Sequence, residues 1–161
     1  MAALIDLRAL VIGHVPECPD FLIETETLSA ARAFCKDTWI WQDGADEDEE
    51  LTVDPLEEQL VYDLTCETGE HVIGVSSVLK NDSAMDPGTE YAKGIRTAQI
   101  VFTSAFSSTD EVMVKRVYRP SASATEIPDF LVEEYGEILA NKVIASLLKM
   151  SRKPWTDPEK A

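Results

Sequence analysis

The spacing of apolar residues changes twice along this chain, and that change limits the folds open to it. Up to Trp41 the apolar positions recur with a helical period of about 3.6 residues. From Leu51 to Tyr118 they alternate with a period near two, as in half-buried strands. From Pro128 onward the helical period returns. The order is therefore helix, helix, strands, long helix, tail. In 161 residues this order predicts one α+β domain. The N-terminal helices and a long C-terminal helix would form a helical bundle. A small antiparallel sheet or sandwich would be inserted between them. The parts are helical at 1–41 and 126–150, β at 51–119, and a tail at 151–161.

Within this frame, Leu4, Leu7 and Val11 place a short helix over 3–13, stopped by Gly13. Pro19 and Asp20 suit the first turn of a second helix, which runs to about Thr38. Its apolar face carries Phe21, Leu28, Ala31 and Cys35. Strands are expected at 51–53, 60–64, 72–80, 97–103 and 112–118. The segment 81–94, with Asp86-Pro87-Gly88 inside it, reads as a polar loop. The last helix is expected from Pro128 to about Met150. Glu133, Glu137 and Asn141 form a polar stripe on it, which further along meets Ile144 and Leu148. Its second half is thus apolar on two sides and needs two partners. Ile144 and Leu148 are candidates for a subunit interface, with an intramolecular core as the alternative.

Charge narrows the function classes. The 14 Lys+Arg against 30 Asp+Glu give a formal net charge of −16. DNA binding through a generally basic surface is excluded, because phosphates would be repelled. No Lys or Arg occurs between Lys36 and Lys80, an interval holding thirteen acids, five of them consecutive: Asp46, Glu47, Asp48, Glu49 and Glu50. The C-terminal end is mildly basic, with Lys142, Lys149, Arg152, Lys153 and Lys160. This asymmetry favours head-to-tail contacts between copies or docking onto an acidic partner.

Catalytic chemistry is not apparent. His14 and His71 stand at no metal-ligand spacing, and there is no CxxC or HExxH. Gly74-Val75-Ser76-Ser77-Val78 lacks the second glycine of a nucleophile elbow. Cys35 falls on an apolar helix face and reads as a buried thiol rather than a nucleophile for His71. Cys18, Cys35 and Cys66 suggest reduced thiols, not a disulfide framework. The acidic run lacks the glycine and alternating ligands of a calcium loop. No apolar run reaches about 18 residues, so no membrane span is expected. The start lacks the features of a secretory signal. No cofactor, metal site or enzyme activity is expected.

The motifs and their order do point somewhere. Val15-Pro16-Glu17-Cys18-Pro19-Asp20 precedes a helix ending in Ala31-Arg32-Ala33-Phe34-Cys35-Lys36-Asp37-Thr38-Trp39-Ile40-Trp41. Then come Tyr62-Asp63-Leu64, the turn Arg119-Pro120-Ser121, and Pro128-Asp129 before the last helix. Lys153-Pro154-Trp155-Thr156-Asp157-Pro158 closes the series. In this order they resemble the head–tail adaptor proteins of tailed bacteriophages, the connector or head-completion proteins of the tail tubular protein A type. The resemblance covers nearly the whole chain, which is shorter than the short-tailed-phage members, mainly in the β region.

The resemblance implies a non-enzymatic virion protein, made in the host cytoplasm and placed at the neck. It implies a homo-oligomeric ring, usually of twelve copies, docked under the portal. Such a ring closes the DNA-filled capsid, extends the DNA channel and offers a platform for the tail or nozzle. DNA would pass through its lumen without sequence-specific binding. The expected portal contacts are Arg152, Lys153, Pro154, Trp155, Asp157 and Pro158. The loop Asp46–Glu50 is expected to face the lumen or the ring rim. The alternatives are a tail-completion or neck protein at another level of the conduit, or a small cytosolic binding module.

Overall fold

In a computed structural model of the chain, residues 1–44, 48–52, 58–94, 98–150 and 153–155 are described. The chain divides into two units. One joins Met1–Asp37 to Pro120–Ala161, and the other is the continuous stretch Thr38–Arg119.

The first unit carries the helices. A two-residue strand β1 (Ala2–Ala3) leads into a 3₁₀ turn (Leu4–Leu7) and α1 (Arg8–Val11). α2 spans Asp20–Thr38. At its start Asp20 accepts a 2.6 Å bond from Arg8 Nε. After β9 (Glu126–Ile127), which pairs antiparallel with β1, come α3 (Asp129–Glu133) and α4 (Gly136–Leu148). The core of the unit gathers Leu7, Val11, Ile23, Ala31, Cys35, Ile127, Leu131, Leu139, Val143 and Leu147.

The second unit is built of strands. β2 (Glu49–Glu50), β8 (Val112–Pro120, whose last residue passes into the first unit), β4 (Glu70–Lys80) and β5 (Ser83–Ala84) form one sheet in the order β2-β8-β4-β5. β3 (Val61–Asp63), β7 (Gln99–Phe102) and β6 (Tyr91–Lys93) form another, ordered β3-β7-β6. Val72, Val78, Val112 and Val114 share a core with Tyr62, Tyr91, Ile100, Phe102 and Phe106. The aromatic rings meet edge to face, Phe102 on Phe106 at 4.6 Å and Tyr62 on Phe102 at 5.7 Å, an arrangement that adds to burial alone.

This architecture corrects the expected fold class. The chain is β-rich, with nine strands in three sheets and four short α-helices among the described residues. The expected helical bundle is not formed, because its long C-terminal member does not exist as one helix. The chain leaves helical geometry at Tyr135 (φ −119°, ψ 8°), between α3 and α4. There the Tyr135 ring packs on Phe34 at 5.1 Å and on Phe130 at 6.5 Å. Gly136 then restarts the helix beside the 3₁₀ turn. A Cβ at this position would lie 3.4 Å from Leu7 Cδ2. The stripe Glu133–Glu137–Asn141 assumed an unbroken helix, and the break falls between its first two members.

Other elements also differ. The first helix is a 3₁₀ turn plus one α turn. The expected strand at 51–53 is displaced to Glu49–Glu50, and Val53 lies outside the described residues. The expected loop 81–94 contains β5 and β6. Residues 126–127, expected to be helical, are β9. No helix among the described residues is long and apolar enough to cross a membrane.

Candidate functional site

Two recesses mark the β unit. The first is polar. β8 alternates Val112, Val114 and Arg116 on one face, which directs a guanidinium toward a core. A buried charge needs a partner, and Asp43 supplies it. Arg116 donates to Asp43 from Nε (2.9 Å), Nη2 (3.0 Å) and its own backbone N–H (2.7 Å). The Tyr118 hydroxyl donates a fourth bond at 2.7 Å, and Asp43 is only 7% exposed. Arg116 Nη1 reaches Glu49 Oε2 at 3.4 Å and the Thr65 carbonyl at 3.0 Å. Glu49 in turn accepts from the Thr65 hydroxyl at 2.7 Å and from the Thr65 N–H. One guanidinium thus ties Asp43, Glu49 and Thr65, from three segments, to β8.

The electrostatics follow from this wiring. Burial alone would raise the Asp43 carboxyl, but hydrogen bonds from Arg116 and Tyr118 outweigh it and hold the group below its ordinary value. Burial, then the bond to Asp43, pushes the Tyr118 phenol well above its ordinary range. Glu70 is raised, first by burial. With Trp41, Gln42, Cys66 and Glu67, these residues line a cleft of about 530 Å³. The cleft is lined by the carboxylates Asp43, Glu67 and Glu70 and by the free thiol Cys66.

The second recess is apolar, with a volume of about 370 Å³. It lies between β4 at Val72–Val75 and the β6–β7 pair, and Trp39 covers one side. Trp39 follows α2 directly and has φ +56°, a left-handed conformation that a residue with a Cβ adopts at a cost. Its indole lies over Gly74, where any Cβ would come within 3.2 Å of the ring. A side chain at position 74 would have to push the ring back by a few tenths of an ångström. Trp39 keeps 44% of its surface exposed. At the mouth, Lys93 Nζ donates to the Ile73 carbonyl at 3.1 Å.

The residues singled out from the sequence are spread over the chain. Of the acidic run, Asp46 and Glu47 lie outside the described residues. Asp48 is half-buried, Glu49 is drawn inward to Arg116, and Glu50 is exposed. The run is therefore not one uniform solvated loop. Leu148 is buried within this chain alone and Ile144 is half-buried. In the tail, Lys153 and Pro154 are exposed and Trp155 is half-buried, with Lys153 Nζ 6.0 Å from its ring centroid. Arg152, Asp157 and Pro158 lie outside the described residues. Cys35 is fully buried, and burial pushes its thiol up to about 12. Among the described residues, no group of three or more His, Cys, Asp or Glu side chains is placed to hold a metal ion.

Sequence reading missed both recesses. An Arg on an apolar strand face was a usable signal for the first. The second carried none, since Trp39 and Gly74 are 35 positions apart. No family model matches the chain, and no curated protein matches it.

Proposed function

We propose that this chain is a head–tail adaptor subunit of a tailed bacteriophage: a virion protein without catalysis, assembled as a ring under the portal. The order and spacing of the motifs from Val15 to Pro158 carry the reading. Their places in the fold support it. Tyr62 and Asp63 lie in β3, Arg119 and Pro120 close β8, and Pro128 stands immediately before α3.

Exposed apolar side chains give further support. In the helical unit Leu10 (45%), Phe21 (63%) and Ile138 (54%) face solvent, and Ile144 is half-covered. A subunit that buries its helices against ring neighbours would cover such residues. The tail residues 152–158 dock to the portal, with Trp155 as the anchor. The acids near Asp46–Glu50 face the lumen or rim, where they keep DNA from adhering.

The test is co-expression with the portal protein of the same virus. The full chain is expected to form a ring on the portal, and a chain ending at Met150 is expected to lose portal capture. Capture unchanged by the truncation removes the tail anchor. Immunogold labelling absent from the virion neck defeats the adaptor reading itself.

A further inference from the structure

β6 and β7 pair with Tyr91 opposite Phe102 and Lys93 opposite Ile100. Opposed residues lie on one face of a sheet, as do residues two apart along a strand. Tyr91, Lys93, Ile100 and Phe102 therefore share a face. Tyr91, Ile100 and Phe102 belong to the core of the β unit. Lys93 thus brings a charge to the core-facing side of its sheet, where its neighbours are apolar or aromatic. It lines the apolar recess, and among the described residues it is the only charged one that does.

The recess also holds spare hydrogen-bond donors. An ammonium has three. Among the described residues, Lys93 Nζ donates one bond, to the Ile73 carbonyl at 3.1 Å. Tyr91 lines the same recess and is 6% exposed, and its hydroxyl makes no hydrogen bond among the described residues. Burial, then the nearby Asp86, raises that phenol, so it stays protonated and able to donate. Both residues border an apolar space of about 370 Å³, floored by the buried Val72 and Ile100. A concave apolar site with a few convergent polar groups is the usual form of a small-molecule pocket.

We propose that this recess binds a medium-chain monocarboxylate. At about 30 Å³ per non-hydrogen atom the space holds roughly twelve, the size of an unbranched acid of about ten carbons. The chain lies against Val72, Val75 and Ile100, beside the indole of Trp39. Trp39 is held at φ +56° with 44% of its surface exposed, and a bound chain gives it cover. The carboxylate stays at the mouth and accepts from Lys93 and Tyr91. Residues 38–119 carry 17 acids against 6 Lys or Arg, a formal charge of −11. That field opposes any anion at long range, so the chain drives binding and the two donors orient the head. The inference does not depend on the adaptor reading.

The test titrates the full chain with decanoate, 1-decanol and butanoate at about 150 mM NaCl, where the long-range field is screened. Calorimetry gives affinities and the amide spectrum gives the place. Decanoate is expected to bind with shifts at Gly74, Ala92 and Ile100, and butanoate at least about a hundredfold weaker, having lost most of its buried methylenes. Decanoate is expected to bind at least as tightly as decanol, although water holds its head more strongly. Lys93→Gln is expected to weaken decanoate about threefold and leave decanol within about twofold. No decanoate binding, or shifts elsewhere than the recess, overturns the proposal. Butanoate equal to decanoate means an adventitious ion only. Decanol tighter than decanoate, or decanoate unaffected by Lys93→Gln, overturns the assignment of the head. The comparison of the three ligands needs no substitution, so it decides the matter whatever the stability of that variant.

Discussion

At the scale of single residues, Asp43 and Arg116 matter most to the β unit. The Asp43 side chain is 3% exposed and the Arg116 side chain 14%. Removing one charge of such a pair leaves the other buried and uncompensated. Asp43→Asn is expected to lower the unfolding free energy by about 3 kcal/mol, read from the urea midpoint at constant slope. A loss under about 1 kcal/mol would show the pair to be solvated. The pH dependence has a definite sign. The Asp43 carboxyl is held low in the fold, so its contribution is full above the unfolded value and is lost as pH falls through the folded one. Asp43→Asn should therefore flatten the acid limb of the stability curve. Glu70 has the opposite sign, since burial raises it. Its contribution is full below the unfolded value and fades as pH rises through the folded one. Glu70→Gln is expected to raise Tm at pH 7 and leave it unchanged near pH 3. A lower Tm at pH 7 would show that the Glu70 carboxylate is needed in its charged form.

At the scale of elements, what the sequence revealed depended on whether the deciding contact was local. β4 and β8 were legible because eleven and nine residues of alternation carry their own signal. β6 was not, because three residues after an Asp-Pro-Gly turn become a strand only through pairing with β7. The break before α4 was equally hidden. Glu134 and Tyr135 do not forbid a helix, and the interruption coincides with packing of Tyr135 on Phe34, about a hundred positions earlier. The polar site was half legible. Arg116 shares an alternating face with Val112 and Val114, a signal that was not taken up, and its partner Asp43 is 73 residues away. The break also yields a test. Gly136 begins α4, and a Cβ there meets Leu7 at ordinary contact distance. Gly136→Ala is expected to stabilise the chain by about 0.5–1 kcal/mol through loss of unfolded-state freedom. A destabilisation would show that the 3.4 Å approach to Leu7 has no slack.

At the scale of the whole molecule, the net charge of −16 is unevenly shared, with −11 of it on residues 38–119. Repulsion among like charges opposes the folded state and is screened by salt. Raising NaCl from about 20 to about 150 mM, where the screening length falls to about 8 Å, is expected to raise Tm in calorimetry. A fall would mean that pairs such as Lys80–Asp110, at 3.0 Å, outweigh the repulsion.

The pairing of Ala2–Ala3 with Glu126–Ile127 also sets a schedule for biosynthesis. The stretch 38–119 is continuous and can complete its sheets as soon as it leaves the ribosome. The helical unit is made of the two ends of the chain. Its first strand must wait, with α2 already synthesised and Ile23, buried in the fold, still without its core partners, until residue 127 has emerged. During that interval the early helices are open to chaperones and to premature association. The order of emergence from the ribosome therefore lets the β unit fold ahead of the helices that flank it in the sequence.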